Sequence, residues 1–89
     1  MIRRRVIVHG RVQGVFFRET TRRRAAAANV AGWVRNREDG SVEAVFEGDE
    51  ADVERLILFC EQGPRGADVE WVDVSAEAPE GLADFEISG

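Results

Sequence analysis

The 89 residues, 44% hydrophobic and 33% charged with a net charge of −5, make one small folded domain spanning residues 1–89 and exclude a disordered tail. No apolar run approaches the length of a membrane span, and the basic N-terminus lacks the apolar stretch of a signal peptide. A cytoplasmic protein without membrane contact is therefore expected. A single cysteine, Cys60, and a single histidine, His9, exclude an internal disulfide and a structural zinc site, so neither a cofactor nor a protein-built metal site is expected.

Taken in chain order, Arg3 to His9 reads as a strand, with Val6 and Val8 on one face and Arg5, Ile7 and His9 on the other. A glycine-containing loop follows, Gly-Arg-Val-Gln-Gly-Val-Phe-Phe-Arg from Gly10 to Arg18. From Phe17 to about Asn29 the spacing of Phe17, Thr21, Ala25 and Ala28 predicts a helix, with Arg22 to Arg24 turned mostly to solvent. A second strand is expected over Ala31 to Arg37. Asp39-Gly40 signals a hairpin, and Ser41 to Glu47 alternates as a third strand, Val42, Ala44 and Phe46 against Glu43, Val45 and Glu47. Asp49 is placed to cap a second helix, whose apolar stripe Val53, Leu56, Ile57 and Cys60 ends at Gly63-Pro64. Cys60 continues that stripe as a small buried hydrophobe, and Trp33 and Trp71 are expected to pack. A fourth strand over Val69 to Ala76 and a short fifth over Ala83 to Ser88 complete the chain.

This order predicts an α+β, ferredoxin-like split βαβ fold: βαββαβ plus a short C-terminal strand, an antiparallel sheet with two helices on one face. In that topology the first two strands run parallel on either side of the third. Their C-terminal ends share one edge, which places Asn36 beside the Gly10–Arg18 loop. Most of the arginines lie in the first half and the acidic residues dominate from Glu38 onward, so the loop sits in a positive local field.

A loop that ends at a helix start presents unpaired N–H groups and the positive end of the helix dipole, a combination suited to phosphate. Arg18, in the first turn, can fork onto two phosphate oxygens. The glycine spacing is neither the dinucleotide fingerprint nor the Walker pattern. From spacing alone two readings stand: a phosphate cradle, or an ordinary turn whose Val12, Val15, Phe16 and Phe17 plug the core.

Together, Gly10–Arg18, Gly32-Trp33-Val34-Arg35-Asn36 followed by Asp39-Gly40-Ser41-Val42-Glu43, and Gly63-Pro64 with Ala67 and Val69 resemble the acylphosphatases over essentially the full length. The resemblance implies hydrolysis of the carboxyl–phosphate bond of small acyl phosphates, giving carboxylate and inorganic phosphate. It implies that Arg18 binds the phosphate and Asn36 positions the attacking water. The backbone N–H groups of Arg11, Val12, Gln13, Gly14 and Val15 would form the cradle. It also marks departures: Arg37 stands where many relatives carry a small hydroxyl residue, and the chain ends Ile87-Ser88-Gly89 where some carry an aromatic.

No serine, cysteine or histidine stands where a covalent phosphoenzyme would need it, so direct in-line attack without metal is expected, by a monomer with no nucleic-acid partner. RNA-binding modules of this fold stack bases on exposed sheet aromatics, and the central strands here show no such pair. His9 is expected to be a sheet-face residue, not a proton carrier.

Overall fold

A computed structural model of the chain describes residues 1–88. Its elements are β1 (Ile2–Arg11), α1 (Phe17–Ala27), β2 (Ala31–Asn36), β3 (Val42–Gly48), α2 (Glu50–Gln62), β4 (Asp68–Glu77) and β5 (Phe85–Ile87). The expected βαββαβ order with a final short strand is present. Helix α1 stops two residues early because Asn29 takes a left-handed φ of 57°, which ends the helical path.

The sheet runs β4-β1-β3-β2-β5. Strand β3 pairs antiparallel with both β1 and β2, so β1 and β2 point the same way on either side of it. One expectation is corrected. The sheet is mixed, because β5 pairs parallel with β2. Strand β4 runs antiparallel to β1, and the segment after it crosses to the far edge and reverses, so β5 must travel in the direction of β2.

Strand β1 extends further than the alternation suggested, through a bulge between His9 and Gly10. Gly10 has φ 130°, and a Cβ there would lie 2.2 Å from the Asp68 carbonyl oxygen, so only glycine lets β1 stay paired with β4 up to the loop.

The core lies between the helices and one sheet face. Val6, Val8, Val34, Val42, Ala44 and Phe46 from the sheet meet Phe17 and Ala25 of α1 and Val53, Leu56, Phe59 and Cys60 of α2. Burial pushes the Cys60 thiol well above its ordinary pKa, so it stays protonated and inert. Asp49 occupies the N-cap position, where its carbonyl accepts from Val53 N–H at 2.9 Å, but its side chain makes no capping bond. Glu50 and Asp52 supply the first-turn negative charge instead.

The opposite face departs most from the alternation. Glu43 and Glu47 look solvent-facing in sequence, yet they are 6% and 2% exposed. Arg5 and Arg35 both pair with Glu43, and Arg3 pairs with Glu47 at 3.0 Å and with Glu77 at 2.9 Å. The segment after β4 folds over Glu47 and donates the N–H groups of Glu80, Gly81 and Leu82 to its carboxylate at 3.1, 2.6 and 3.1 Å. His9 lies on this face, stacked on Trp71 with ring centroids 4.2 Å apart and bonded through Nε2 to Asp73. Trp71 is 51% exposed, so its expected packing role is replaced by this stack on an edge strand. Trp33 is half-buried beneath the Arg5 guanidinium.

Candidate active site

The junction of β1 and α1 builds the site. Val12 is buried and anchors the loop from below, while Phe17, 2% exposed, anchors the start of α1 and stacks at a tilt on Phe59. Between these two plugs the chain bulges outward through Gly14 at φ 74° and Phe16 at φ 60°. Of the apolar side chains expected to plug the core, Val12 and Phe17 do so and Val15 packs partly against it, whereas Phe16 is 81% exposed because its left-handed backbone turns the ring outward. Among the described residues no backbone N–H from Gln13 to Glu19 reaches a backbone acceptor, and the first that does is Thr20, bonded to the Phe16 carbonyl at 3.0 Å. Phe16 is the N-cap and offers no side-chain oxygen, so the first-turn donors of α1 stay open.

Arg18 projects from that first turn. A pocket of about 290 Å³ at the junction is lined by Val12, Gly14, Phe16, Phe17, Arg18, Glu19, Asn36 and Ile87. Arg18, Asn36, Val12 and Gly14 of the sequence-derived candidates thus meet around one cavity. Arg11, Gln13 and Val15 do not line it. Arg11 ends β1 opposite Asp68, and Val15 packs partly against the core. Glu19 turns to Arg22 and Arg23 along the helix, and its carboxyl is held below the ordinary range, chiefly by the Arg22 hydrogen bond.

Asn36 is the last residue of β2, opposite Val42. The hairpin after it is fastened by Arg37 N–H on the Ser41 carbonyl at 2.9 Å and by Asp39, whose Oδ1 accepts from Ser41 N–H and from its hydroxyl. Those bonds, the hydroxyl first, lower the Asp39 pKa. Arg37 leans toward Asp39, with Nη2 3.9 Å from Oδ2.

Two contributions were not anticipated. The Gln13 side-chain amide donates to both the Arg37 carbonyl at 2.8 Å and the Ser41 carbonyl at 3.0 Å, tying the loop to the hairpin that carries Asn36. A polar residue inside the apolar stretch of the loop was the available signal. Ile87 of β5 closes the pocket from the side of β2, a position that depends on the parallel pairing.

Fold and site together define an α+β sandwich with open backbone N–H groups, an arginine and an asparagine gathered at one strand–loop–helix junction. The acylphosphatase family profile matches residues 4–87. An acylphosphatase of Gloeobacter violaceus is 57% identical over 86 residues, covering 97% of this chain and 92% of that protein, and one of Haloarcula marismortui is 55% identical over 85 residues, covering 96% and 93%. The crystal structure of acylphosphatase from Bacillus subtilis superposes with a TM-score of 0.96 at 37% identity, covering all of both chains. The chain belongs to the acylphosphatase family, and it is a hydrolase of acyl phosphates.

Proposed function

We propose that this chain cleaves small acyl phosphates by direct attack of water, with Arg18 holding the phosphate and Asn36 orienting the nucleophile. The observation that carries the proposal is that Arg18, from α1, and Asn36, from the end of β2, line the same cavity as a loop whose N–H groups from Gln13 to Glu19 are open. Those donors and the Arg18 fork would bind the non-bridging oxygens and stabilise charge on the transferring phosphoryl group. The Asn36 amide can accept from the attacking water with its carbonyl and donate to phosphate with its NH2.

In the step, the water oxygen forms a bond to phosphorus while the bond from phosphorus to the acyl oxygen breaks. The carboxylate leaves with the electron pair, and the water proton passes to a phosphate oxygen. A neutral amide is a poor general base, so Asn36 contributes orientation. The leaving carboxylate is stable enough that positioning and charge stabilisation suffice, with no cofactor. Inorganic phosphate is then released from the same cradle.

The test is turnover of acetyl or benzoyl phosphate by the purified protein in EDTA. Arg18→Ala is expected to lower kcat/KM by about a hundredfold to a thousandfold, comparable with loss of an oxyanion donor. Lysine at that position keeps charge without the fork and should restore little. Asn36→Ala should lower kcat while phosphate inhibition is nearly unchanged; an effect confined to KM would contradict its role. Light scattering of the same sample tests the monomer.

A further inference from the structure

The helix that opens the candidate site begins with a conflict of charge. Among the described residues lining the pocket, Glu19 is the acidic one, and it shares that wall with Arg18 and Asn36. It stands in the first turn of α1, three positions after the N-cap Phe16. A glutamate at that position commonly reaches back to the N-cap N–H, and the positive end of the helix dipole favours its charge there. In this chain the N-cap N–H belongs to the open run from Gln13 to Glu19. A carboxylate is therefore tethered beside the donors that a phosphate would use.

That carboxylate is turned the other way. Arg22 forks onto it, Nε on Oε2 at 3.1 Å and Nη2 on Oε1, and Arg23 Nε approaches Oε1 at 3.4 Å. The two arginines follow Glu19 by three and four residues, the spacing at which side chains meet on a helix surface. Among the described residues they are the carboxylate's hydrogen-bond partners, and neither of them lines the pocket. Whatever they do for the site, they do through Glu19.

We infer that Arg22 and Arg23 are positioning residues for the reaction: they hold the Glu19 carboxylate on the flank of α1 and so keep the cradle free of an anion from the chain itself. This rests on the reading of the Arg18 pocket as the phosphate site. Freed from both partners, the carboxylate competes with the phosphoryl group for Arg18 and the first-turn donors. A competitor fixed to the chain lowers the fraction of protein able to bind and leaves the bound complex as it was. KM and the inhibition constant of phosphate then rise by one factor while kcat holds. The ion pairs are partly exposed, so that factor is modest.

The test is a cycle of Arg22→Gln/Arg23→Gln, Glu19→Ala and the triple variant, assayed on acetyl phosphate with inorganic phosphate as inhibitor. Potassium chloride at about 0.15 M screens attraction beyond roughly 8 Å. The arginine double variant is expected to raise KM and the phosphate inhibition constant together, by roughly twofold to fivefold, with kcat within about 1.5-fold. On the Glu19→Ala background the same two substitutions should move neither constant by more than about 1.5-fold. An equal rise on both backgrounds overturns the inference, since the arginines would then attract the anion directly. Unchanged constants in the double variant overturn it as well, and so does a fall in kcat with the phosphate constant intact, which would mark a helix-stabilising role. Arg18→Ala with phosphate inhibition as in wild type would instead overturn the phosphate reading of the pocket, and this inference with it.

Discussion

Two stretches of backbone leave successive N–H groups without a backbone acceptor, and they meet different fates. After β4, the N–H groups of Glu80, Gly81 and Leu82 close on the Glu47 carboxylate, which Arg3 pairs from the other side. After β1, the N–H groups from Gln13 to Glu19 close on nothing in the described chain, and the neighbouring guanidinium is Arg18. The components are alike: an arginine, several backbone donors and room for one anion. Where the chain supplies the anion itself, the arrangement is a structural fastening. Where it leaves the place open, the arrangement is the candidate site.

The largest effect that separates the two is loss of the internal anion. Glu47→Ala would leave the Arg3 guanidinium, 4% exposed, with one fewer partner and three backbone donors without an acceptor. Removing one member of a buried pair costs about 3–5 kcal/mol, a large share of a small domain's roughly 5–15 kcal/mol. Urea unfolding should show that loss, while kcat on acetyl phosphate, measured well below the midpoint, stays within about twofold. Arg18→Ala should do the reverse, with Tm nearly unchanged and turnover largely gone. If Glu47→Ala instead abolished turnover without destabilising the fold, the distinction between fastening and site would collapse.

Protonation is a gentler form of the same experiment. Burial alone pushes the Glu47 carboxyl upward, but the N–H of Glu80, the Arg3 guanidinium and the N–H groups of Gly81 and Leu82 outweigh it and lower the pKa from 4.5 to about 2. The folded-state value lies below the unfolded one, so its contribution is complete above about pH 4.5 and is lost as pH falls through about 2. That difference corresponds to roughly 3 kcal/mol. Glu77, lowered first by its bond to Arg5 and then by Arg3, acts in the same direction. Unfolding free energy should therefore decline across that window in wild type, with a visibly shallower decline in Glu47→Gln.

Only one of the two arrangements was legible in the sequence. The open one announces itself locally, through Gly14 and Arg18 between a β-branched run and a helix start. Asn36 follows from topology, since parallel β1 and β2 must end on one edge. The closed arrangement is assembled from residues far apart in the chain: Arg3 and Glu47 are 44 positions apart, and Glu47 and Gly81 are 34. Alternation in β3 gives Glu43 and Glu47 the pattern of a solvated face, and nothing in that pattern shows that arginines and a returning segment will cover it. The parallel pairing of β5 was hidden for the same reason, because three residues carry no direction of their own.

The smallest effect concerns how the open site keeps its shape without an internal anion. Among the described residues its N–H groups make no bonds that would hold the loop, and the Gln13 side chain ties it to the neighbouring hairpin instead. One amide NH2 spends both hydrogens on the Arg37 and Ser41 carbonyls, which flank the hairpin leading from Asn36. Gln13→Ala removes two hydrogen bonds to backbone carbonyls at a partly exposed position, a stability change of about 1–2 kcal/mol. If Gln13 aligns the cradle with Asn36, kcat should fall about fivefold to tenfold while the inhibition constant of phosphate, which the proposed mechanism assigns to Arg18 and the loop backbone, changes little. Gln13→Glu sharpens the test. It keeps the length of the side chain but turns a carboxylate toward two carbonyl oxygens, so repulsion replaces both bonds, and kcat should fall further than in Gln13→Ala. A Tm loss with kcat intact in both variants would make Gln13 a structural tie only, and the alignment of Asn36 would then rest on the hairpin's own bonds through Asp39 and Ser41.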